Sequence, residues 1–261
     1  MSFLLTKWYL DCVSADGQAF IGYWGEIRWR GLAFCAAQTL RRDESGRLQS
    51  VTRSGRVAPP VLADGELRWV QPGLGMDGVW RASSPAVHRR LLDSPQGFVD
   101  WHCEMPGACA EIRFRRERAS LRGRGYAEFL QMTLPPWRLP VEELRWGRFH
   151  SDLDTVVWIQ WRGPHPLCLI LSSGKIWTED AAISEDRVSL PGAVLDLAGH
   201  TVLRTGPIVS TALARLPLLK HSLPGRFLAL DETKWISQGT VHDSGGDSRR
   251  GWAIHEVVRW P

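Results

Sequence analysis

The sequence predicts an all-β protein built as two lipocalin-like antiparallel β-barrel modules in tandem. Short runs of alternating apolar and polar residues, bounded by Gly, Pro, Ser and Asp, recur along the chain. No window of helical period is long enough to supply the crossover helices of a parallel sheet. The 261 residues exceed the length of one small barrel, and the pattern starts again near residue 140. We therefore place the modules at residues 1–138 and 139–261.

The first module has a run of predicted strands joined by turn residues. These strands span residues 8–13, 19–29, 32–40, 78–82, 88–92, 97–103, 110–115 and 121–132. The Asp16-Gly17 pair is a hairpin signal between the first two strands. Residues 57–67 are rich in Pro and Gly, residues 69–76 look irregular, and the Pro-rich segment 134–140 is the predicted linker.

The second module repeats this character. Its predicted strands span residues 146–149, 156–161, 167–171, 226–236 and 252–260. Trp8 and Trp24 are 16 residues apart, and Trp146 and Trp161 are 15 apart, as in an internal repeat. A spacing this short also arises by chance, so both explanations stay open.

Composition excludes several classes of function. Hydrophobic residues make up 44% and charged residues 23% of the chain, as in water-soluble globular proteins. The net charge of +4 is spread along the sequence without a recognition motif, so we expect no nucleic-acid partner. No apolar run approaches the roughly 20 residues of a membrane-spanning helix, and no secretory signal is visible. Five irregularly spaced cysteines predict free thiols in a reducing cytoplasm. The oligomeric state is not indicated.

Metal and nucleotide motifs are also missing from the sequence. His102-Cys103-Glu104 is similar to the H-x-E of zinc deaminases, but the partner motif P-C-x-x-C is absent. No P-loop or dinucleotide-binding glycine motif occurs. We therefore expect no metal and no cofactor.

The strongest candidate for chemistry is the segment Gly123-Arg-Gly-Tyr126-Ala-Glu128. Strand alternation places Tyr126 and Glu128 on one face. A phenol beside a carboxylate is a plausible proton-transfer pair, and an ordinary pair at the rim of a barrel is the alternative. On the strand 97–103, either Trp101 faces inward or Asp100 and His102 do; the sequence leaves this undecided. Fourteen tryptophans indicate wide apolar walls around a ligand, or simply a packed core.

Several of these segments together resemble the carotenoid 1,2-hydratase (hydroxyneurosporene synthase) and AttH-like superfamily. They are Lys7-Trp-Tyr-Leu, Trp101 with Pro106, Gly123-x-Gly-Tyr126-x-Glu128 and Leu144-Arg-Trp-Gly-Arg-Phe149. The resemblance implies two lipocalin-like modules and hydration of an isoprenoid double bond without a cofactor. It maps the family's Tyr-x-Asp pair onto Tyr126 and Glu128, and its His-x-Trp pair onto Val99 and Trp101, so the histidine is not carried over. The wider set includes natural-product cyclases and pericyclases.

The resemblance implies an acid–base enzyme acting on an apolar isoprenoid- or polyketide-like small molecule by hydration, cyclisation or isomerisation. Glu128 would protonate the substrate, with its pKa raised by burial, while Tyr126 and Trp101 complete the catalytic set. The expected substrate-binding residues are Trp24, Glu26, Arg28, His102, Trp146 and Arg148. Two alternatives remain: a non-catalytic lipocalin-type carrier with the same cavity, and an inactive relative without a cavity.

Overall fold

A computed structural model describes residues 3–178, 181–208 and 225–261. The chain divides into two compact units, Met1–Leu139 and Pro140–Pro261, and each unit contains one antiparallel sheet. The architecture is that of tandem lipocalin-like β modules, which confirms the predicted fold class. The assignment of residues 1–138 and 139–261 to two domains stays a prediction.

The first unit holds ten strands. They are β1 (Phe3–Val13), β2 (Ala19–Trp29), β3 (Leu32–Arg42), β4 (Leu48–Ser54), β5 (Val61–Ala63), β6 (Glu66–Gln71), β7 (Met76–Ala82), β8 (Val87–Ser94), β9 (Gly97–Phe114) and β10 (Ala119–Met132). Along the sheet their order is β4-β3-β2-β1-β10-β9-β7-β6-β5, and β8 pairs with β9. The last strand therefore pairs with the first, and β1 and β10 lie at the centre. Two 3₁₀ turns, Pro72–Leu74 and Pro136–Arg138, complete the unit.

The sheet of the first unit curls around an apolar core. The Phe20 ring on β2 contacts Trp80 on β7 and Phe114 on β9, with centroids 6.3 and 6.0 Å apart, although these strands are not neighbours in the sheet. Buried tryptophans keep their N–H groups paired with backbone oxygens: Trp24 donates to Val57 at 2.8 Å and Trp80 to Asp11 at 2.7 Å. These bonds let the large rings fill the core without leaving a buried donor unpaired.

The described residues of the second unit form eight strands. They are β11 (Glu143–His150), β12 (Thr155–Arg162), β13 (Leu167–Ser172), β14 (Lys175–Trp177), β15 (Arg187–Leu190), β16 (Ala193–Pro207), β17 (Asp231–Asp243) and β18 (Ser248–Arg259). Their order is β14-β13-β12-β11-β18-β17-β16-β15. A single helical turn, Gly225–Leu228, precedes β17. The core lies on one face of this sheet and contains Phe149, Val156, Trp158, Ile170, Leu195 and Val241.

The two units repeat the same strand arrangement. In each unit, the first four strands are neighbours in chain order (β1 to β4 and β11 to β14), and the last strand pairs with the free side of the first strand. Two glycines mark corresponding positions: a Cβ at Gly123 would lie 2.0 Å from the Val13 carbonyl oxygen, and one at Gly251 would lie 2.0 Å from that of His150. Val13 therefore corresponds to His150. The repeat is shifted by one residue from the prediction, because Trp146 then corresponds to Tyr9 and not to Trp8.

Several strand predictions were wrong in detail. Strand β4 was missed, and the predicted strands 97–103 and 110–115 are parts of the single long strand β9. The supposedly irregular segment 69–76 contains the end of β6 and the start of β7. Strand β17 begins at Asp231, after a helical turn, and not at residue 226. These boundaries depend on which strands pair with one another, and a local sequence pattern does not show that pairing.

All five cysteines are free, as predicted. Cys12, Cys103 and Cys168 are buried, Cys35 is half-buried, and Cys109 is exposed. No helix within the described ranges is long and apolar enough to cross a membrane.

Candidate active site

The central strands β1 and β10 carry polar side chains on the face opposite to the core of the first unit. The register places Tyr9 beside Glu128 and Asp11 beside Tyr126. The alternate residues Leu10 and Ala127 belong to the core. Because side chains alternate along a strand, the four polar residues share the other face. All four are buried: Tyr126 and Asp11 are 0% exposed, and Glu128 is 8% exposed.

Glu128 accepts two short hydrogen bonds on one carboxyl oxygen. The indole Nε1–H of Trp101 donates to Oε2 at 2.6 Å, and the Tyr126 hydroxyl donates to the same atom at 2.7 Å. An indole nitrogen can only donate, so Oε2 must act as an acceptor in this arrangement. The structure thus brings together the three residues predicted to be catalytic, and it fixes the carboxyl group from two sides.

A second tyrosine–carboxylate pair lies next to the first. The Tyr9 hydroxyl donates to Asp11 Oδ2 at 3.1 Å. The Tyr9 ring contacts Tyr126 and Tyr23, with centroids 6.0 and 5.4 Å apart. Sequence reasoning missed both Tyr9 and Asp11. The spacing Tyr9-x-Asp11 repeats Tyr126-x-Glu128, and this repeat was the available signal.

Burial determines the protonation of the groups around Glu128. Desolvation raises the pKa of Tyr126 well above its usual range, and the nearby Cys103 and Glu128 act in the same direction. Desolvation likewise raises the pKa of the Cys103 thiol, although its hydrogen bond with Tyr126 opposes this. Both groups are therefore neutral near pH 7, so Tyr126 keeps the proton that it donates to Glu128.

The pairing of β9 with β10 places Trp101 on the side of the candidate site. Trp101 lies opposite Leu130, which shares the face of Glu128. Register shifts further along β9 turn Met105 to the core, although Met105 is four residues from Trp101 and regular alternation would put both on one face. The open question about the strand 97–103 is thereby answered: Trp101 faces the site.

Three other predicted substrate-binding residues lie away from Glu128. Trp24 pairs with Trp8 in the register and belongs to the core face of the sheet. Glu26 and Arg28 follow on that same face and form a salt bridge with each other, and the Arg28 side chain is 65% exposed. Strand alternation assigns each residue to one face of its own strand, but only the pairing of β1 with both β2 and β10 shows that Trp24 and Glu128 lie on opposite faces of the sheet.

His102 lies on the face of β9 opposite to Trp101. It stacks on His88 of β8, with ring centroids 4.5 Å apart, and it lies 3.7 Å from the Glu104 carboxylate. Asp100, on the same face, pairs with Arg90. His102 is therefore not brought to Glu128.

Trp146 and Arg148 belong to a separate cluster in the second unit. Both side chains lie on the face of β11 opposite to that unit's core, and Arg148 is fully buried. The Lys234 ammonium lies 5.3 Å from the centre of the Trp146 ring and forms ion pairs with Glu232 and Glu256. Glu256 stands opposite Trp146 just as Glu128 stands opposite Tyr9, so the two carboxylates occupy corresponding positions.

The second unit also contains a chain of hydrogen bonds that sequence reasoning missed. Ser237 Oγ lies 2.8 Å from His255 Nε2 and 2.6 Å from His200 Nδ1, and His200 Nε2 lies 2.9 Å from Asp186. Desolvation, together with the charges of His200 and Lys234, lowers the pKa of His255 to about 3. His255 is therefore neutral near pH 7. No sequence signal connects these residues, since they come from four separate segments of the chain.

The fold is shared with known structures. The putative AttH protein of Nitrosomonas europaea matches at 12% identity with a TM-score of 0.59, covering 98% of this chain and 92% of that one. Kievitone hydratase from Nectria haematococca matches at 10% identity with a TM-score of 0.53, covering 97% of this chain and 88% of that one. CghA with Sch210972 matches at 12% identity with a TM-score of 0.55, covering 98% of this chain and 88% of that one.

At such low identity the likeness concerns the fold alone. No protein-family model matches the chain, and no curated protein sequence matches it. The neighbours agree with the AttH-like part of the resemblance. None of these three proteins is described as a carotenoid 1,2-hydratase, so that part of the resemblance stays a prediction.

Proposed function

We propose that this protein is a cofactor-independent acid–base enzyme that hydrates, cyclises or isomerises a C=C bond of an apolar isoprenoid- or polyketide-like molecule. Glu128 is the proton-transferring group. The observation that carries the proposal is the pair of hydrogen bonds from Trp101 and Tyr126 to the single atom Oε2 of a buried carboxyl group.

These hydrogen bonds favour the proposed proton transfer. When Glu128 gives its proton to an alkene, negative charge develops on the carboxyl group. Two donors already aimed at Oε2 stabilise that charge without reorganising, which lowers the barrier more than it stabilises the ground state. The proton leaves from the other oxygen, Oε1. Tyr126 stays neutral because burial raises its pKa, so it acts as a fixed donor and does not compete for the proton.

The neighbouring aromatic groups suit a substrate that gains positive charge. The rings of Tyr9, Tyr23 and Tyr126 form a contiguous cluster beside Glu128, in which Tyr9 and Tyr126 are buried and Tyr23 is half-buried. The faces of such rings attract a developing carbocation. Asp11, held by the Tyr9 hydroxyl, is the second carboxyl group on this face and is suited to take up the proton that leaves when water or an internal hydroxyl captures the cation.

The fold comparisons support this assignment in general terms only. One structural neighbour is named a hydratase, and another, CghA, was crystallised with Sch210972. The second candidate, a lipocalin-type carrier, uses the same aromatic cluster for binding alone.

The test compares Glu128→Gln with the wild-type protein and with Glu111→Gln, a surface carboxylate on β9 paired with Arg113. Isoprenoid and polyketide-like ligands are screened by tryptophan fluorescence quenching, and their conversion is followed by mass spectrometry. We expect Glu128→Gln to bind ligand but to lose at least about 10²-fold in turnover, while Glu111→Gln keeps both. Binding without conversion in the wild-type protein would leave a carrier. The absence of any binding would support an inactive relative.

A further inference from the structure

Two histidines and one glutamate converge on the face of the β8–β9 hairpin opposite to Trp101. His88 Nε2 lies 3.3 Å from Glu104 Oε2, and His102 Nδ1 lies 3.7 Å from Glu104 Oε1. The three candidate ligand atoms all lie within 4.8 Å of one another. The register explains the convergence, since His88 stands directly opposite His102 while His102 and Glu104 are two residues apart on the same face of β9.

We propose that His88, His102 and Glu104 form a binding site for a divalent transition metal such as Zn²⁺. In a tetrahedral site, bonds of about 2.0–2.2 Å place neighbouring ligand atoms about 3.3–3.5 Å apart. His88 Nε2 lies 3.3 Å from Glu104 Oε2, which is within this range, and His102 Nδ1 lies 3.7 Å from the other oxygen, Oε1, so the carboxylate would contact the ion through either or both oxygens. Two imidazoles and one carboxylate are a donor set suited to zinc, and three protein ligands leave a fourth position for water.

The sequence analysis predicted no metal here, because the local motif contains only His102-Cys103-Glu104 and lacks the zinc-deaminase partner motif. The third ligand, His88, lies on the neighbouring strand β8, and no sequence motif links it to His102 and Glu104. The site is also accessible to an ion: the His88 side chain is 53% exposed and that of His102 is 31% exposed, while Glu104 is 14% exposed.

A bound metal would join β8 to β9 directly behind the candidate active site. His102 and Glu104 alternate with Trp101 and Cys103, which face the opposite side, toward Glu128. The ion would thereby hold the part of β9 that positions the Trp101 indole. This inference does not depend on the proposed catalytic activity, because it concerns metal binding and the stability of one hairpin.

The experiment uses the full chain without a histidine tag and with Cys109→Ser, which removes the exposed thiol. Zn²⁺ binding is measured by isothermal titration calorimetry and by thermal melting, for His88→Asn, Glu104→Gln and the control His165→Asn. His165 is an exposed histidine in the second unit.

We expect one equivalent of Zn²⁺ to bind and to raise the melting temperature, because a ligand that binds only the folded state stabilises it. His88→Asn and Glu104→Gln should each weaken binding by at least about tenfold, while His165→Asn should leave it unchanged. His88 is largely exposed, so its replacement leaves the fold intact, which circular dichroism checks. The proposal is overturned if the starting protein binds no Zn²⁺, or if binding survives in both His88→Asn and Glu104→Gln.

Discussion

Replacing Glu128 separates its structural role from its chemical role. In Glu128→Ala, the buried Trp101 N–H and Tyr126 hydroxyl lose the acceptor that they approach at 2.6 and 2.7 Å. A buried donor left unpaired costs about 1–3 kcal/mol, so we expect the free energy of unfolding to fall by about 2–6 kcal/mol. In Glu128→Gln the amide oxygen can accept both bonds, and the loss should stay below about 1.5 kcal/mol.

A third variant tests whether the loss comes from the unpaired donors. Adding Tyr126→Phe to Glu128→Ala removes one of them, and about 1–3 kcal/mol should be recovered. Urea unfolding followed by tryptophan fluorescence and far-ultraviolet circular dichroism gives the free energies. If Glu128→Ala proved as stable as Glu128→Gln, or if Tyr126→Phe added a further loss in the Glu128→Ala background, Glu128 would not be the acceptor that satisfies these groups, and the reasoning would fail.

Three further predictions concern pH, packing and thiol reactivity. Burial lowers the pKa of His255 from 6.5 to about 3, so the unfolded chain binds an extra proton between these values; stability should fall by about 1.4 kcal/mol per pH unit as pH drops through this window. Urea unfolding between pH 4 and pH 7 should show that the free energy of unfolding of His255→Gln changes less with pH than that of the wild type. An unchanged pH dependence would contradict the assignment. In Gly123→Ala the new Cβ would lie 2.0 Å from the Val13 carbonyl oxygen, so the free energy of unfolding should fall by at least about 3 kcal/mol. In the control Gly25→Ala, another strand glycine, the new Cβ would lie 3.6 Å from the nearest atom, so the melting temperature should stay near that of the wild type. Iodoacetamide should label the exposed Cys109 at least about tenfold faster than the buried Cys103, as peptide mass spectrometry would show; equal labelling would contradict the burial of Cys103.

Much of the candidate site was visible in the sequence. Strand alternation alone places Tyr126 and Glu128 on one face, and the structure confirms that the two side chains meet. The role of Trp101 came from the resemblance, whereas the face on which it lies depended on its pairing with Leu130 of β10. Trp24, by contrast, alternates correctly on its own strand but lies on the core side of the sheet, because β1 pairs Trp8 with it and Tyr9 with Glu128.

The sequence by itself determined the all-β class and the Tyr126–Glu128 pair, because both depend on residues close together in the chain. The tertiary structure alone decided which strands pair and in which register. That information places Tyr9 and Asp11 beside Glu128, brings His88 to His102 and Glu104, and links Ser237 with His200 and His255. A shift of one residue in any of these registers would turn the side chains to the other face, and no local pattern records that choice.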